Sequence, residues 1–207
     1  MIKPRPGSSL LVIVLLTPLW FGSCTQEPVV PLAGTHVIAF GDSLVRGVGA
    51  SPGKGWVSLL STRLDRPILN KGKNGDTTRS ALSRLPRDVL TQDPRVVLIL
   101  LGGNDALRRL PQQLVFENLA ATIDQIQQVG ARVVLIGVRG GPFFDHYAKS
   151  FRALADEKNV LLVTNILDGI WGNQQRMADM VHPNDEGYRL MADRIEPVLV
   201  KALGSRS

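Results

Sequence analysis

The stretch THVIAFGDSL, residues 35–44, passes from an apolar run into a short polar turn. The run Val37–Phe40 has the β-branched and aromatic composition of a buried strand. The Gly41-Asp42-Ser43 sequence that follows is typical of a turn leading from a strand into a helix. Ser43 is then either a helix cap or a nucleophile exposed at the end of the strand. The rest of the chain decides between these two roles.

Outward from this stretch, strand and helix signals alternate along the chain. The predicted strands are Val37–Phe40, Pro67–Leu69, Val96–Leu101, Val133–Val138 and Val160–Val163. The predicted helices are Trp56–Leu64, Thr77–Leu90 with a second helix beginning at Pro86, Gln112–Val129, Phe144–Glu157 and Asp185–Leu203. The strands at Val96 and Val133 are apolar on both faces, as expected of a parallel sheet covered by helices. We therefore predict an α/β fold, a doubly wound five-stranded parallel sheet flanked by helices.

The loops after the predicted strands carry the chemistry, because ligands of such sheets bind outside the carboxyl ends of the strands. Three of these loops are small and polar: GDSL at 41–44, NGDT at 74–77 and GGND at 102–105. Asp179 and His182 stand three residues apart just before the last predicted helix. Each piece alone is an ordinary turn or cap. Their joint placement is improbable for caps and indicates a catalytic site.

Each of these residues suits one role in acyl transfer. Ser43, at a strand-to-helix turn, exposes its hydroxyl and aims helical N–H groups at an acyl oxygen. Gly75 lets a backbone N–H approach a substrate closely, and Asn104 adds a side-chain amide donor. His182 would accept the serine proton, and Asp179 would fix the imidazole tautomer. The question about Ser43 is therefore answered in favour of the nucleophile.

Other candidate residues fit less well. Residues 49–53 match the Gly-x-Ser-x-Gly nucleophile elbow, but Pro52 after Ser51 has no N–H for an oxyanion hole. Asp145 and His146 are adjacent on a predicted helix, so their side chains point in different directions, and we expect His146 to line the substrate loop or to be solvated. His36 is most simply the first residue of a strand.

Composition excludes several classes of protein. The formal charge of +6 falls to +4 without Lys3 and Arg5, since 22 basic residues then face 18 acidic ones. The basic residues form no stripe interleaved with aromatics, so we expect no nucleic-acid partner. Three separated histidines and one cysteine give no metal-ligand spacing, and we expect neither a metal nor a cofactor. No obligate protein partner is evident.

The N-terminus has the pattern of a targeting segment. Lys3 and Arg5 precede the apolar run Leu10–Leu16, and small residues stand before Cys24, which resembles a bacterial lipoprotein signal. We predict a signal peptide at 1–23, lipid on Cys24, a tether at 24–34 and the catalytic domain at 35–207. An uncleaved membrane anchor over residues 6–26 is the alternative. Both place the domain outside the cytoplasm, in the cell envelope on the periplasmic side.

The four polar segments resemble the four consensus blocks of the SGNH hydrolases, also called GDSL esterases/lipases, over residues 35–204. Residues 102–108 with Leu110-Pro111, Asn70 ahead of Gly75, and Trp56 resemble the bacterial thioesterase/lysophospholipase/arylesterase subgroup. This resemblance implies a flavodoxin-like fold and a serine esterase that acts through an acyl-enzyme.

Carried over residue by residue, the resemblance implies a catalytic triad and an oxyanion hole. Ser43, Asp179 and His182 form the triad. Ser43, Gly75 and Asn104 supply the oxyanion donors.

The substrate is the least constrained part of the prediction. Lys71 and Lys73 bring positive charge to the oxyanion loop, and Arg109 stands where the subgroup usually has glycine. The aromatic loop 139–147, with Leu107, Leu110 and Pro111, predicts a shallow apolar groove for short-to-medium acyl chains. The two lysines would favour leaving groups that bear phosphate or carboxylate. A saccharide O-deacetylase and a catalytically silent, ligand-binding envelope lipoprotein are the alternatives.

Overall fold

The computed structural model describes residues 1–2, 34–138 and 145–204. Five parallel strands form one sheet in the order β2-β1-β3-β4-β5. They are β1 (His36–Gly41), β2 (Ile68–Gly72), β3 (Pro94–Leu100), β4 (Arg132–Ile136) and β5 (Leu161–Val163). This order is that of flavodoxin-like doubly wound sheets, and it confirms the predicted fold class.

Helices cover both faces of the sheet. They are α1 (Ser43–Arg46), α2 (Trp56–Arg63), α3 (Thr78–Asp88), α4 (Gly103–Leu107), α5 (Gln112–Gln128), α6 (Asp145–Glu157) and α7 (Asp185–Leu203), with a 3₁₀ turn at Leu90–Gln92. The core on one face joins the sheet to α1, α2 and α7, and the core on the other joins it to α3, α5 and α6. Successive side chains of β1 point to opposite faces of the sheet, so Ala39 enters one core and Phe40 the other, and both are completely buried.

Two predicted boundaries are wrong for physical reasons. Pro86 does not begin a new helix; it lies in the last turn of α3. A proline there removes only one backbone hydrogen bond, while buried Ala81 and Leu85 keep the helix packed on the sheet. Strand β2 extends to Gly72, beyond the predicted end at Leu69. The sequence did not predict this extension because its residues are polar or glycine. The Asn70 side-chain amide is accommodated in the structure by donating to the Val45 carbonyl at 2.8 Å.

The short helices α1 and α4 follow β1 and β3 directly and were not predicted as separate elements. In the part of the chain that the structure describes, no helix combines the length and the apolar character that crossing a membrane requires. The predictions for the signal segment, Cys24 and the greater part of the tether fall on residues 3–33, outside the described residues, as does the loop at 139–144.

Candidate active site

The turn between β1 and α1 positions Ser43. The Asp42 carboxylate caps α1 by accepting the Leu44 N–H at 2.9 Å, and Gly47 ends the helix in the left-handed conformation. The buried Trp56 indole donates to the Leu44 carbonyl at 2.9 Å and braces the same turn. Ser43 is the first residue of α1, so its N–H has no acceptor within the helix and is available to a ligand.

The loop before α7 brings an imidazole to this serine. His182 Nε2 lies 3.0 Å from Ser43 Oγ, and His182 Nδ1 lies 2.8 Å from Asp179 Oδ2. The other carboxylate oxygen, Asp179 Oδ1, accepts the N–H groups of Val181 and His182, both at 2.8 Å. The hydrogen bond from His182 and these backbone donors lower the pKa of Asp179 to about 2. Asp179 therefore stays ionised and holds the ring in one orientation.

Close packing of the segment after α1 against Pro183 and α7 fixes this loop. A Cβ on Gly49, which has φ +94°, would lie 2.5 Å from the Pro183 carbonyl oxygen, so only glycine fits there. The buried Tyr188 hydroxyl donates to the Val48 carbonyl at 2.8 Å, and burial raises the pKa of Tyr188. Asn184 caps α7 by accepting the Gly187 N–H at 3.1 Å. The histidine is thus placed by the last helix and not by the sheet.

Two loops on the other side of Ser43 present amide donors. Gly75 has φ +74°, and its carbonyl accepts the Arg108 guanidinium at 3.0 Å. Asn104, in the first turn of α4, donates its side-chain amide to the Asp76 carbonyl at 2.9 Å and lies 3.4 Å from Asp42 Oδ2. The amide is therefore held by one short bond and one long one.

A buried ion pair stabilises these loops from behind. Arg84 Nε donates to Asp76 Oδ2 at 2.6 Å, and both side chains are almost fully buried. Arg84 Nη2 also donates to the carbonyls of Gly41 and Lys71, at 3.0 Å each. Its guanidinium lies 4.3 Å from the centre of the Phe40 ring. One side chain thereby ties the ends of β1 and β2 to the Gly75 loop.

Two further carboxyl groups are buried beside this pair, with different partners. Asp105 accepts the Thr78 N–H at 3.1 and 3.0 Å and the Thr78 hydroxyl at 2.7 Å. Asp42 has the Leu44 N–H and the long contact to Asn104. Burial raises the pKa of Asp42 to about 7, the Leu44 bond opposes the rise, and the charges of Asp76 and Asp105 add to it.

A cavity of about 280 Å³ opens in front of Ser43. Its lining is Asp42, Ser43, Leu44, Val48, Asn74, Gly75, Gly103, Asn104, Leu107, Val138, Leu167, Trp171, Val181 and His182. Half of these residues are aliphatic or aromatic, so the cavity joins an apolar wall to the polar groups around Ser43. Acyl groups of esters fit this combination.

The cavity differs from the predicted apolar groove. Leu107 lines it, whereas Leu110 and Pro111 are exposed and lie outside the lining. Tyr147 belongs to the core, where its ring packs edge-on against Phe116. Val48, Leu167 and Trp171 of the apolar wall were not predicted, because isolated apolar residues in loops carry no periodic signal.

The weaker candidates lie apart from the His182 ring. The Ser51 N–H donates to Asp185 at 2.7 Å, whereas the His182 ring contacts Ser43 and Asp179. His36 begins β1, and its Nδ1 lies 2.9 Å from the Gln92 carbonyl oxygen. The side chains of residues 145 and 146 are outside the described part. Among the described residues, no group of three or more His, Cys, Asp or Glu could hold a metal ion.

Comparison with known proteins defines the class. Residues 39–190 match the model of the GDSL-like lipase/acylhydrolase family. The chain belongs to this family, and the predicted SGNH (GDSL) assignment is confirmed.

Similar proteins refine this assignment. Esterase TesA of Pseudomonas aeruginosa is 31% identical over 81% of this chain and 89% of its own length. An arylesterase of Vibrio mimicus is 33% identical over 83% and 91%. A crystal structure of TesA superposes with a TM-score of 0.77 at 30% identity, and the match covers 81% of this chain and 99% of that chain. An uncharacterized lipoprotein of Bacillus subtilis, YqeF, is 35% identical over 48% of this chain and 46% of its own length.

Proposed function

We propose that this protein is a serine esterase that hydrolyses short-to-medium acyl esters or thioesters through an acyl-enzyme, with Ser43, His182 and Asp179 as its catalytic triad. One observation carries the proposal: a continuous chain of contacts from Ser43 Oγ to His182 Nε2 at 3.0 Å and from His182 Nδ1 to Asp179 Oδ2 at 2.8 Å. This order of nucleophile, base and orienting carboxylate is what acyl transfer to serine requires.

Acylation begins when Ser43 Oγ attacks the carbonyl carbon of the ester. His182 Nε2 accepts the serine proton, and ionised Asp179 stabilises the imidazolium that forms. When the tetrahedral intermediate collapses, His182 returns this proton to the departing alcohol or thiol. Water then attacks the acyl-enzyme and gives one proton to His182, which passes it to Ser43 Oγ as the carboxylic acid is released.

The negative charge that develops on the carbonyl oxygen needs donors that are already in place. We assign this role to the N–H groups of Ser43 and Gly75 and to the side-chain amide of Asn104. Ser43 lies at the start of α1, Gly75 in a left-handed turn, and Asn104 is bound at 2.9 Å to the Asp76 carbonyl. Donors held by the fold lose little energy to reorganisation in the transition state.

The substrate class follows from the cavity and the relatives. Esterase TesA and the arylesterase are named for ester hydrolysis, and we extend that activity to this chain. The apolar wall, which includes Leu107, Leu167 and Trp171, supports a preference for acyl chains longer than acetyl. Each buried methylene contributes about 0.8 kcal/mol, which is nearly fourfold in specificity.

Labelling with a fluorophosphonate probe tests the nucleophile. Ser43→Ala should abolish both labelling and ester hydrolysis, because it removes the atom that forms the covalent bond. Ser51→Ala is the matched control, since Ser51 lies in the competing Gly-x-Ser-x-Gly segment, and it should leave both signals intact. The opposite result would assign the chemistry to Ser51 and refute the proposed triad.

A series of acyl chains on one leaving group tests the substrate class. We expect kcat/KM to rise over the first several carbons and then to level as the cavity fills. An acetylated oligosaccharide, measured beside the series, serves as the competing substrate. If acetyl substrates are hydrolysed best by a clear margin, the protein is a saccharide deacetylase.

The location of the enzyme is a proposal that rests on the N-terminal sequence and on the lipoprotein relative YqeF. We propose that Cys24 carries lipid and anchors the domain on the periplasmic side of the cell envelope. Cys24→Ser should release the protein from membranes or leave an uncleaved precursor. A wild-type mature chain beginning at any other residue would exclude the lipoprotein anchor.

A further inference from the structure

Exposed apolar side chains are concentrated beside the active-site cavity. In the described stretches 34–138 and 145–204, six large apolar side chains are exposed, and four of them lie on two segments that border the cavity. These four are Leu107, Leu110, Leu114 and Met180, and the other two are Val129 and Val200. Met180 is 89% exposed, although it stands between Asp179 and Val181. Leu107 lines the cavity, and Met180 precedes the lining residues Val181 and His182. Exposed apolar side chains grouped on segments next to a cavity are typical of surfaces that meet an apolar phase.

Positive charge accompanies these apolar groups. The loops 71–77 and 102–111 carry four basic residues, Lys71, Lys73, Arg108 and Arg109. Their two acidic residues, Asp76 and Asp105, are buried and bound internally. The surface of these loops therefore carries net positive charge next to the exposed leucines. Apolar and basic residues in alternation are typical of segments that bind anionic lipid interfaces.

Arg109 supplies an independent observation. Its φ of +56° lies in the left-handed region, which residues other than glycine rarely adopt. The residue is exposed, and among the described residues its guanidinium makes no hydrogen bond or ion pair. Arg109 thus combines a strained backbone with a cation that no contact with the described residues uses.

We propose that the rim formed by Leu107, Arg109, Leu110, Leu114 and Met180 docks the catalytic domain on an anionic lipid surface. The exposed leucines and the methionine enter the interface, and the guanidinium binds lipid phosphates. Leu107 also lines the cavity, so apolar surface continues from the rim to Ser43. Resting on the proposed esterase function, the rim delivers acyl substrates from the lipid surface to the nucleophile.

Binding of residues 31–207 to vesicles tests this proposal. These residues form one compact unit with the complete sheet and both helical layers, and the similar TesA structure is covered over 99% of its chain by 81% of this one. The fragment therefore contains a complete folding unit without the N-terminal segment. It should cosediment with vesicles of phosphatidylglycerol and phosphatidylcholine, bind phosphatidylcholine vesicles weakly, and dissociate as salt is added.

A matched pair of double variants locates the contact. Arg109→Gly with Leu110→Ser removes one cation and one exposed apolar side chain from the rim. Lys201→Gln with Val200→Ser removes the same pair of properties from the end of α7, beside the amino ends of β4 and β5. The rim variant should bind anionic vesicles at least tenfold more weakly, since one charge near the surface alone contributes about fivefold. The control should change binding less than twofold.

Two further measurements distinguish a loss of lipid docking from a loss of folding or of catalysis. Arg109→Gly alone should keep or raise the melting temperature while weakening vesicle binding, because glycine relieves the left-handed strain. Hydrolysis of a water-soluble ester should be unchanged in the rim variant. Equal binding of the rim variant and the control, equal affinity for neutral vesicles, or a dimer that the rim variant dissociates would each overturn lipid docking. Failure of the wild type to hydrolyse the soluble ester would instead refute the esterase function.

Discussion

The two sides of Ser43 hold their carboxyl groups in opposite environments. On the histidine side, Asp179 is about half exposed and ionised, with a pKa of about 2. On the amide side, Asp42 is 2% exposed with a pKa of about 7. Asp179 has three donors at 2.8 Å, whereas Asp42 has one at 2.9 Å and one at 3.4 Å. Burial is the main cause of the raised pKa of Asp42, whereas the hydrogen bonds from His182 and the Val181 N–H are the main causes of the lowered pKa of Asp179.

This difference matches what each side must do in acyl transfer. In the proposed mechanism a cation forms on His182, and a permanent carboxylate next to it lowers the energy of that state. The same mechanism places an anion beside Asn104, and a second negative charge close to it would raise the energy of the transition state. The fold supplies charge on the histidine side and compensates it on the amide side, where Arg84 neutralises Asp76.

The largest effect should come from removing the base. We expect His182→Ala to lower kcat by about ten-thousandfold or more, because His182 is the proposed acceptor of the Ser43 proton. Circular dichroism should show an intact fold, since the ring is partly exposed. His36→Ala is the control at the start of β1 and should keep full activity. A loss below about a hundredfold would mean that His182 only positions the loop.

The sequence predicted the histidine side almost completely. The spacing of Asp179 and His182, the small polar loops and the alternating strand signals are local patterns, and each survives in the structure as a contact or a strand end. The supporting carboxylates of the amide side were not identified. Asp76 and Asp105 had the composition of turn residues, and nothing in a helical pattern singles out Arg84 as the partner of Asp76.

Burial and long-range pairing explain this asymmetry. Arg84 lies in α3 but bonds to carbonyls at the ends of β1 and β2, up to 43 residues away. Such contacts depend on how elements pack, which no window of sequence encodes. The same limit applies to Leu167 and Trp171, which line the cavity from an irregular segment.

A smaller effect should follow from removing the amide donor. Asn104→Ala should lower kcat by roughly a hundred- to a thousandfold, the range observed when one oxyanion donor is deleted. Steady-state kinetics should show a smaller change in KM. Asn118→Ala is the matched control, because this amide bonds to the Thr78 hydroxyl at 3.2 Å and does not line the cavity. Equal losses in the two variants would assign Asn104 a structural role.

The smallest effect concerns the charge of Asp42, and it tests directly whether Asp42 and Asp179 differ in ionisation. Because its pKa is raised from 3.8 to about 7, the folded chain holds a proton that the unfolded chain releases. The free energy of unfolding therefore decreases as the pH rises from about 4 to about 7. The upper limit of this decrease in the free energy of unfolding is roughly 4 kcal/mol, and local relaxation of the structure reduces it.

Asp42→Asn removes this dependence, because the amide stays neutral and its oxygen still caps the Leu44 N–H. The free energy of unfolding of the variant, measured relative to wild type by urea unfolding, should be about 1–2 kcal/mol higher at pH 8 than at pH 5. Asp179→Asn is the contrasting change, since a carboxyl with a pKa of about 2 is ionised at both pH values and should give no such gain. If Asp42→Asn shows the same difference from wild type at pH 5 and pH 8, Asp42 is ionised in the folded protein, and both sides of Ser43 then carry a permanent negative charge.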